Sequence, residues 1–458
     1  MASGGATEVS LTAIAEFSSY SPAVRHDCWA VVEIAAPSCK LESRAPIDIV
    51  AVIDTSGSME GEKIDLVKYT LLFVINQLMQ HDRFSLVTYD ARAIVNFELA
   101  CMTEERKAEA RSSIQAMEVG TCTNLCGGLV KGMEQIAYNS GSYKAPVQSV
   151  LLLTDGLANK GFTSKDRIIQ EMMQIQDPEC TSKEYFEGTV YTFGFGPDHD
   201  ADLLEAISTQ GGGVYYFINT IEKVTESFAD CLGGLLSVVG QNLCMMLDTK
   251  EDNKLCEVHT SRAVSWSIPN KRCEIHLGDL LSEERRDILL LLALSESRKE
   301  KDSILKVSLC YFNLITSTIE TVACKLQVNR TGACTSPPNP IVDQQRNRTF
   351  VTAALKEAKD LADEGNLKGA ESLIIQTIAK VEGSESSQCA LSKSLLNDLR
   401  TSCETLRSHD EYNFHGKQYI LSRVQSHVTQ RCNFVELQSY YTNHRKEACK
   451  NFLKHFTL

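Results

Sequence analysis

The chain has 458 residues, enough for two to four domains at the usual ~100–200 residues each, and its 43% hydrophobic and 23% charged residues are those of an ordinary water-soluble protein. A formal net charge of −13 argues against a nucleic-acid binder, which would show a basic face, and against binding to anionic membranes. The 17 cysteines are scattered without short repeated spacings and without a C-x-x-C pair, so they read as reduced thiols, many packed as small apolar groups.

Met1–Glu8 lacks the basic and apolar regions of a signal peptide, and no apolar run reaches the ~18 residues needed to span a bilayer. A cytoplasmic location with no membrane contact is therefore expected. Residues 8–38 contain two alternating stretches, Val9–Ile14 and Trp29–Ile34, that read as strands. The run Ile47–Ile53 then reads as a strand buried on both faces, typical of a parallel sheet. It stops abruptly at Asp54-Thr55-Ser56-Gly57-Ser58. Ile64, Val67, Leu71, Val74, Ile75 and Leu78 recur at helical spacing, which predicts a helix over 62–80. Strands follow at Arg83–Tyr89 and Ala93–Leu99, then helices at about 103–117 and 124–138. Beyond them come a strand at 147–154, a helix at 164–176, a strand at Thr189–Gly196 and a helix at His199–Thr209. A last strand at Gly213–Ile218 and a closing helix at Ile221–Val238 complete residues 46–237 as a doubly wound α/β domain.

Three loops of that domain carry oxygen ligands. Asp54, Ser56 and Ser58 place one carboxylate and two hydroxyls at alternate positions, and Gly57 lets the backbone fold tightly between them. Thr123 offers a hydroxyl in a short loop before an apolar-periodic helix. Asp155 ends the second buried strand, Val150–Thr154. These are hard donors of the kind Mg²⁺ prefers, and Mg²⁺ usually keeps positions open for water or a partner's oxygen. They lie at the carboxyl ends of strands, where open α/β sheets bind ligands. Asp and Ser are also good helix caps, but capping does not explain three segments matching together.

This set resembles the metal-ion-dependent adhesion site (MIDAS) of the von Willebrand factor A (VWA) domain, and the resemblance covers the whole of 46–237. Asp54, Ser56 and Ser58 match its D-x-S-x-S loop, Thr123 the threonine of its second loop and Asp155 the aspartate of its third. The resemblance implies that Ser56, Ser58 and Thr123 bind metal directly while the two aspartates act largely through water. It also implies a sixth position left for an acidic group of a partner.

Residues 238–334 return to strand patterns, with turn signals at Pro269-Asn270 and His276–Asp279, a buried strand at Ile288–Leu294 and clear alternation over 303–312. Two N-terminal strands alone are marginal, so residues 1–45 are expected to join these later strands in one antiparallel β-sandwich interrupted by the A domain. Thr335–Pro340 reads as a linker to an α-helical domain over 341–458. Helices are expected at Arg346–Glu364, Leu367–Val381 and Leu391–Ser408, and an amphipathic one at Phe434–Leu458. The run Tyr419–Arg431 resembles the C-terminal region that accompanies A domains in plant RING-type ubiquitin ligases. His427 and Arg431, one helical turn apart, read either as solvated helix residues or as a polar surface patch.

The chain shows no zinc-ligand spacing of a RING module and no G-x-x-x-x-G-K-[ST] phosphate loop. A hydrolase would need a positioned base or a second metal, and Cys122, the one candidate nucleophile beside the loop, has no His near it in sequence. Cys122 and Cys126 read as packing residues. The expected function is therefore not enzymatic. It is a metal-dependent protein-binding scaffold or adaptor that holds Mg²⁺, or Mn²⁺ or Ca²⁺, and captures an acidic residue of a protein partner. The other reading is a RING-less substrate receptor of a ubiquitin-ligase complex.

Overall fold

The computed structural model describes residues 8–431 apart from 24, 40–43, 139–143, 180–184, 197, 219, 221 and 333–336. They form two compact units, one of residues up to 44 together with those from 237 onward, the other of residues 45–236. The chain opens with β1 (Ser10–Ala15) and β2 (His26–Ala35) of the first unit.

The second unit begins with β3 (Ile47–Asp54), α1 (Glu62–Gln77), β4 (Arg83–Tyr89) and β5 (Ala93–Cys101). It continues through α2 (Glu104–Gln115), α3 (Leu125–Ala137), β6 (Val147–Thr154) and α4 (Lys165–Gln176). β7 (Thr189–Phe195), α5 (Ala201–Gln210), β8 (Gly212–Ile218) and α6 (Glu222–Leu235) close it. The sheet order is β5-β4-β3-β6-β7-β8, parallel except at the β4–β5 pair. Every residue of β3 and β6 is buried, as their apolar runs require between two helical layers. The chain moves outward from β3 to β5 on one side and from β6 to β8 on the other. The carboxyl ends of β3 and β6 are thus the point where the winding reverses.

Asp48 sits at the opposite, amino end of β3 and is fully buried. It accepts from Arg83 Nε and Nη2 at 2.7 and 2.6 Å, from Gln148 Nε2 at 2.9 Å and from the Ala145 N–H at 3.3 Å. A buried carboxylate is tolerable there because a bidentate guanidinium and further donors satisfy it. Above it, α3 approaches the sheet through two glycines four residues apart. A Cβ on Gly132 would lie 2.3 Å from Val52 Cγ2, and one on Gly128 would lie 2.4 Å from the Tyr89 ring.

In the first unit, β1 and β2 join β13 and β10 in a four-stranded sheet of order β1-β2-β13-β10. The later strands are β9 (Val238–Thr249), β10 (Lys254–His259), β11 (Val264–Ile268), β12 (Arg272–Leu281), β13 (Arg285–Leu294), β14 (Lys301–Asn313) and β15 (Thr318–Asn329). The second sheet runs β11-β12-β9-β14-β15. Both sheets are antiparallel, and between them Val32, Ile34, Leu243, Met245, Leu290, Leu292, Val307 and Leu309 share one core. The α/β unit is therefore inserted in an antiparallel sandwich. The places where the chain leaves the sandwich and returns to it meet at one turn. Ser282 donates its N–H to Ser237 O at 2.6 Å and its hydroxyl to Pro37 O at 3.4 Å, and Glu283 N–H donates to Pro37 O at 3.2 Å.

The strand break read at His276–Asp279 does not occur. β12 runs through it, with only register irregularities at His276/Gly278 and beyond, and Gly278 takes a φ of +74°. The turn comes later, at Leu281–Glu284, where Glu283 takes φ 61°.

The helices belong to the same compact unit as the sandwich. They are α7 (Pro340–Asp363), α8 (Leu367–Glu382), α9 (Ala390–Thr405), α10 (His409–Glu411) and α11 (Lys417–Thr429). α7 starts six residues earlier than the periodicity indicated, because Pro340 sits at its first position and the Asn339 side chain caps the Ile341 N–H at 2.9 Å. Val342 of α7 packs on Val31 and Leu289, so β13 is apolar on both faces, with Leu290 facing the sandwich core. The amphipathic stretch expected at Phe434–Leu458 lies outside the described residues.

His427 and Arg431 are neither solvated nor a surface patch. His427 is fully buried and its Nε2 meets Asp398 Oδ2 at 2.9 Å. Arg431, 7% exposed, donates through Nε to Glu284 Oε1 at 2.9 Å and through Nη2 to Asp279 O at 2.8 Å. Arg286 Nε donates to the same Glu284 oxygen at 2.9 Å. Burial alone would raise the Glu284 carboxyl, but Arg286 and Arg431 outweigh it and bring it down to about 2. Next to it, Gln430 brackets Asp287, accepting from its N–H at 2.9 Å and donating to its carbonyl at 2.8 Å. Sequence spacing alone could not show this, because the partner of His427 lies 29 residues away and those of Gln430 and Arg431 more than 140.

Two outcomes follow from this packing. Gly132→Ala should lower the stability of the α/β unit by about 1–3 kcal/mol despite the better helix propensity of Ala, since the added methyl overpacks against Val52. Chemical denaturation reads this, and an unchanged or raised midpoint would refute the close approach. Glu284→Gln replaces the carboxylate shared by two buried guanidinium groups with a neutral amide, leaving Arg286 and Arg431 only that amide and the Leu277 and Asp279 carbonyls as hydrogen-bond acceptors. It should cost about 3–5 kcal/mol and expose the α11 region to protease before the α/β unit; a loss below about 1 kcal/mol would refute its keystone role.

Candidate metal centre

The site is built where the winding of the sheet reverses. β3 delivers Asp54, the loop after it delivers Ser56 and Ser58, and the end of β6 delivers Thr154 and Asp155. Asp54 is fully buried and accepts from the Ser56 N–H at 2.8 Å and from the Thr154 hydroxyl at 2.6 Å. Ser56 Oγ lies 3.1 Å from Ser58 Oγ, and Ser58 donates to Asp155 Oδ1 at 2.7 Å. Asp54, Ser56, Ser58 and Asp155 thus form one connected set. Thr123, also buried, joins through the backbone: its N–H donates to Asn159 Oδ1 at 2.8 Å and its carbonyl accepts from the Asn159 N–H at 3.1 Å. Gly120 N–H donates to Thr55 O at 2.6 Å, so the first loop is tied to the second and the second to the third.

Burial pushes the Asp54 carboxyl up to about 6, against the hydrogen bonds from Thr154 and Ser56 that hold it down, and the nearby Asp155 charge adds to the rise. Two buried carboxylates therefore face one set of hydroxyls. Local positive charge comes from Lys63, in the first turn of α1, whose Nζ lies 2.5 Å from Asp155 Oδ2. The donors are hard oxygens, short of positive charge and partly lined by hydroxyls, so they fit a hard divalent cation. Asp54, Ser56, Ser58, Thr123 and Asp155 are the residues that would hold it. A bound cation would supply a concentrated positive charge able to accept an acidic oxygen from outside.

Three participants escaped the sequence. In the sequence Thr154 is only the end of a strand, but its hydroxyl is a donor to Asp54. Lys63 carried no signal beyond its place in a helix N-terminal turn. Asp90 had one: it ends the run Arg83–Tyr89 just as Asp54 and Asp155 end theirs. Its carbonyl accepts from the Asn124 N–H at 2.8 Å, and its carboxylate packs so closely that a Cβ on Gly120 would lie 2.2 Å from Oδ2. Cys126 is buried, in keeping with its reading as a packing residue, while Cys122 is half-buried.

The Lys63–Asp155 pair yields a measurable outcome. Lys63→Met leaves buried carboxylates uncompensated, so in EDTA the protein should lose about 1–2 kcal/mol and a few degrees of melting temperature. Saturating Mg²⁺ should restore most of that loss. An equal melting-temperature gap between Mg²⁺ and EDTA in Lys63→Met and the parent protein would show that ammonium and cation do not share the site.

Comparison with known proteins agrees with this geometry. The family model described as von Willebrand factor type A domain matches residues 48–230, and one described as VWA / Hh protein intein-like matches 389–453. The chain is 28% identical over 339 residues to the E3 ubiquitin-protein ligase WAV3 of Arabidopsis thaliana, covering 72% of this chain and 42% of that protein. It thus spans less than half the length of that relative. An uncharacterized Synechocystis protein is 25% identical over 360 residues, covering 76% of this chain and 81% of that one. Among solved structures, a von Willebrand factor type A protein from Catenulispora acidiphila superposes with a TM-score of 0.66 at 17% identity, over 86% of this chain and 90% of that one. The VWA2 paralog of ArnB from Sulfolobus acidocaldarius gives 0.58 at 16% identity, over 92% and 98%. No helix among the described residues is long and apolar enough to cross a membrane. Domains of this family commonly mediate protein–protein interaction and often bind a divalent metal at this site. Residues 48–230 of this chain are a von Willebrand factor type A domain.

Proposed function

We propose that the protein is a metal-dependent binding scaffold that captures an acidic side chain of a protein partner through a divalent cation. The connected set Asp54–Ser56–Ser58–Asp155 carries this reading, because it gathers hard oxygens under two buried carboxylates at the reversal point of the sheet. Mg²⁺ is the first choice and Mn²⁺ or Ca²⁺ the alternatives, since all three take oxygen ligands. The same residues do not support hydrolysis: the set has no second metal site and no histidine base. The scaffold is read as neither an enzyme nor a nucleic-acid or membrane binder.

A second reading is favoured by one observation. The match to the plant ubiquitin ligase runs over 339 residues, well beyond the A domain, while the chain lacks RING ligand spacing. On that reading the scaffold is a substrate receptor of a ubiquitin-ligase complex, with the acidic partner as its cargo.

Calorimetry tests the first step: the parent protein should bind about one Mg²⁺ or Mn²⁺, and Asp54→Ala should lose most of that affinity. Affinity capture in Mg²⁺ against EDTA tests the second. Thr123→Ala should stay folded, with its melting temperature in EDTA little changed, yet lose most metal-dependent capture. Full capture by Thr123→Ala, together with loss of a hydrolytic turnover, would replace the scaffold with an enzyme.

A further inference from the structure

A second, chemically different group of ligating side chains stands on the outer face of the five-stranded sheet. Alternation along β9 and β12 sends Leu243, Met245, Cys273 and Ile275 into the core, and Cys244, Glu274 and His276 outward. Cys244 lies directly opposite His276 on β12 and directly opposite Cys310 on β14. Directly opposed residues bring their Cβ atoms to about 4.5–5.5 Å, so His276, Cys244 and Cys310 form a row across three strands. Glu274 reaches into that row diagonally: Cys244 donates its S–H to Glu274 Oε1 at 2.9 Å, and His276 Nε2 lies 3.3 Å from the same oxygen.

One ligand atom from each of Cys244, Glu274 and His276 lies within 4.8 Å of the other two. A tetrahedral zinc ion, with bonds of about 2.0–2.3 Å, sets its ligands roughly 3.3–3.8 Å apart. The three therefore need to shift by well under a side-chain rotation to surround a cation. Cys244 is half-buried, whereas His276 and Cys310 are exposed, so the group opens to solvent.

We propose that Cys244, Glu274 and His276 form a three-ligand zinc-binding site, with its fourth position open to water, distinct from the oxygen-lined centre. Thiolate and imidazole donors select a zinc-like cation, and hydroxyl and carboxylate donors select a magnesium-like one. The two sites thus divide the divalent metals between them by softness.

The test uses the full chain with its thiols kept reduced, titrated with Co²⁺ in excess Mg²⁺ so that oxygen sites are filled. One equivalent of Co²⁺ should give a thiolate-to-cobalt charge-transfer absorption that Zn²⁺ then removes. Cys244→Ser should abolish the band. His276→Ala should weaken Co²⁺ binding roughly tenfold or more, whereas Cys310→Ser should leave the band in place. Because these side chains point outward, the variants should keep the circular dichroism and metal-free melting temperature of the parent. If Cys244→Ser loses structure, His276→Ala decides the matter, since its ring is exposed. No band, or one that survives both Cys244→Ser and His276→Ala, would overturn the site. A band lost only in Cys122→Ser would overturn it too, by placing the cation elsewhere.

Discussion

The pairing of β2 with β13 holds the first unit together. Ala30 faces Leu290, and Ala35 faces Arg285, across a separation in sequence of some 250 residues. Pairing so distant in sequence is slow and entropically costly to form from an unfolded chain. What makes it feasible is the insertion itself. Residues 45–236 carry their own sheet and core, so they can fold as a unit and reduce the effective loop between the two strands. The turn at Leu281–Glu284 then receives both connections, through Pro37 and Ser237. The same turn presents Glu284 to Arg286 and Arg431, so one corner of the sandwich closes the insertion and fixes the last described residues.

The α/β unit applies the opposite solution at its two sheet ends. At the amino end of β3, Asp48 is neutralised within the fold by Arg83, a bidentate ion pair with further donors. At the carboxyl end, Asp54 has only neutral donors, the Thr154 hydroxyl and the Ser56 N–H, and burial leaves its carboxyl raised. One end is electrostatically complete and serves stability. The other is left short of cations, and strained electrostatics of that kind gather at functional sites.

Much of this was legible in the sequence because it is local. The D-x-S-x-S loop, the threonine loop and the strand ending in Asp155 each lie within a few residues, and hydrophobic period alone separates the strands from the helices between them. The insertion was legible by a weaker route, from strand patterns too few to stand alone on the N-terminal side. What sequence could not show is set by long-range contacts. His427 and Arg431 have the composition of a solvated helix face, yet Asp398 and Glu284 bury them. Gly278 looked like a turn, but its positive φ serves an irregularity inside β12. The Cys244–Glu274–His276 cluster has no motif, because its members are neighbours only through strand register.

Three neighbouring strands, β4, β3 and β6, each end in or just before a carboxylate: Asp90, Asp54 and Asp155. Lys63 supplies one positive charge against that cluster. An acidic side chain arriving alone would meet like charges and be repelled. With a dication in place the balance reverses, because the cation cancels the net charge of the cluster and offers the incoming carboxylate a direct ligand position. On the proposed function, cation and partner must therefore bind with positive coupling, and linkage makes that coupling reciprocal: an acidic partner tightens the cation as much as the cation tightens the partner. The net charge of −13 sharpens the same selection. At long range that net charge disfavours acidic ligands, and on the proposed function the cation is what makes an acidic partner acceptable.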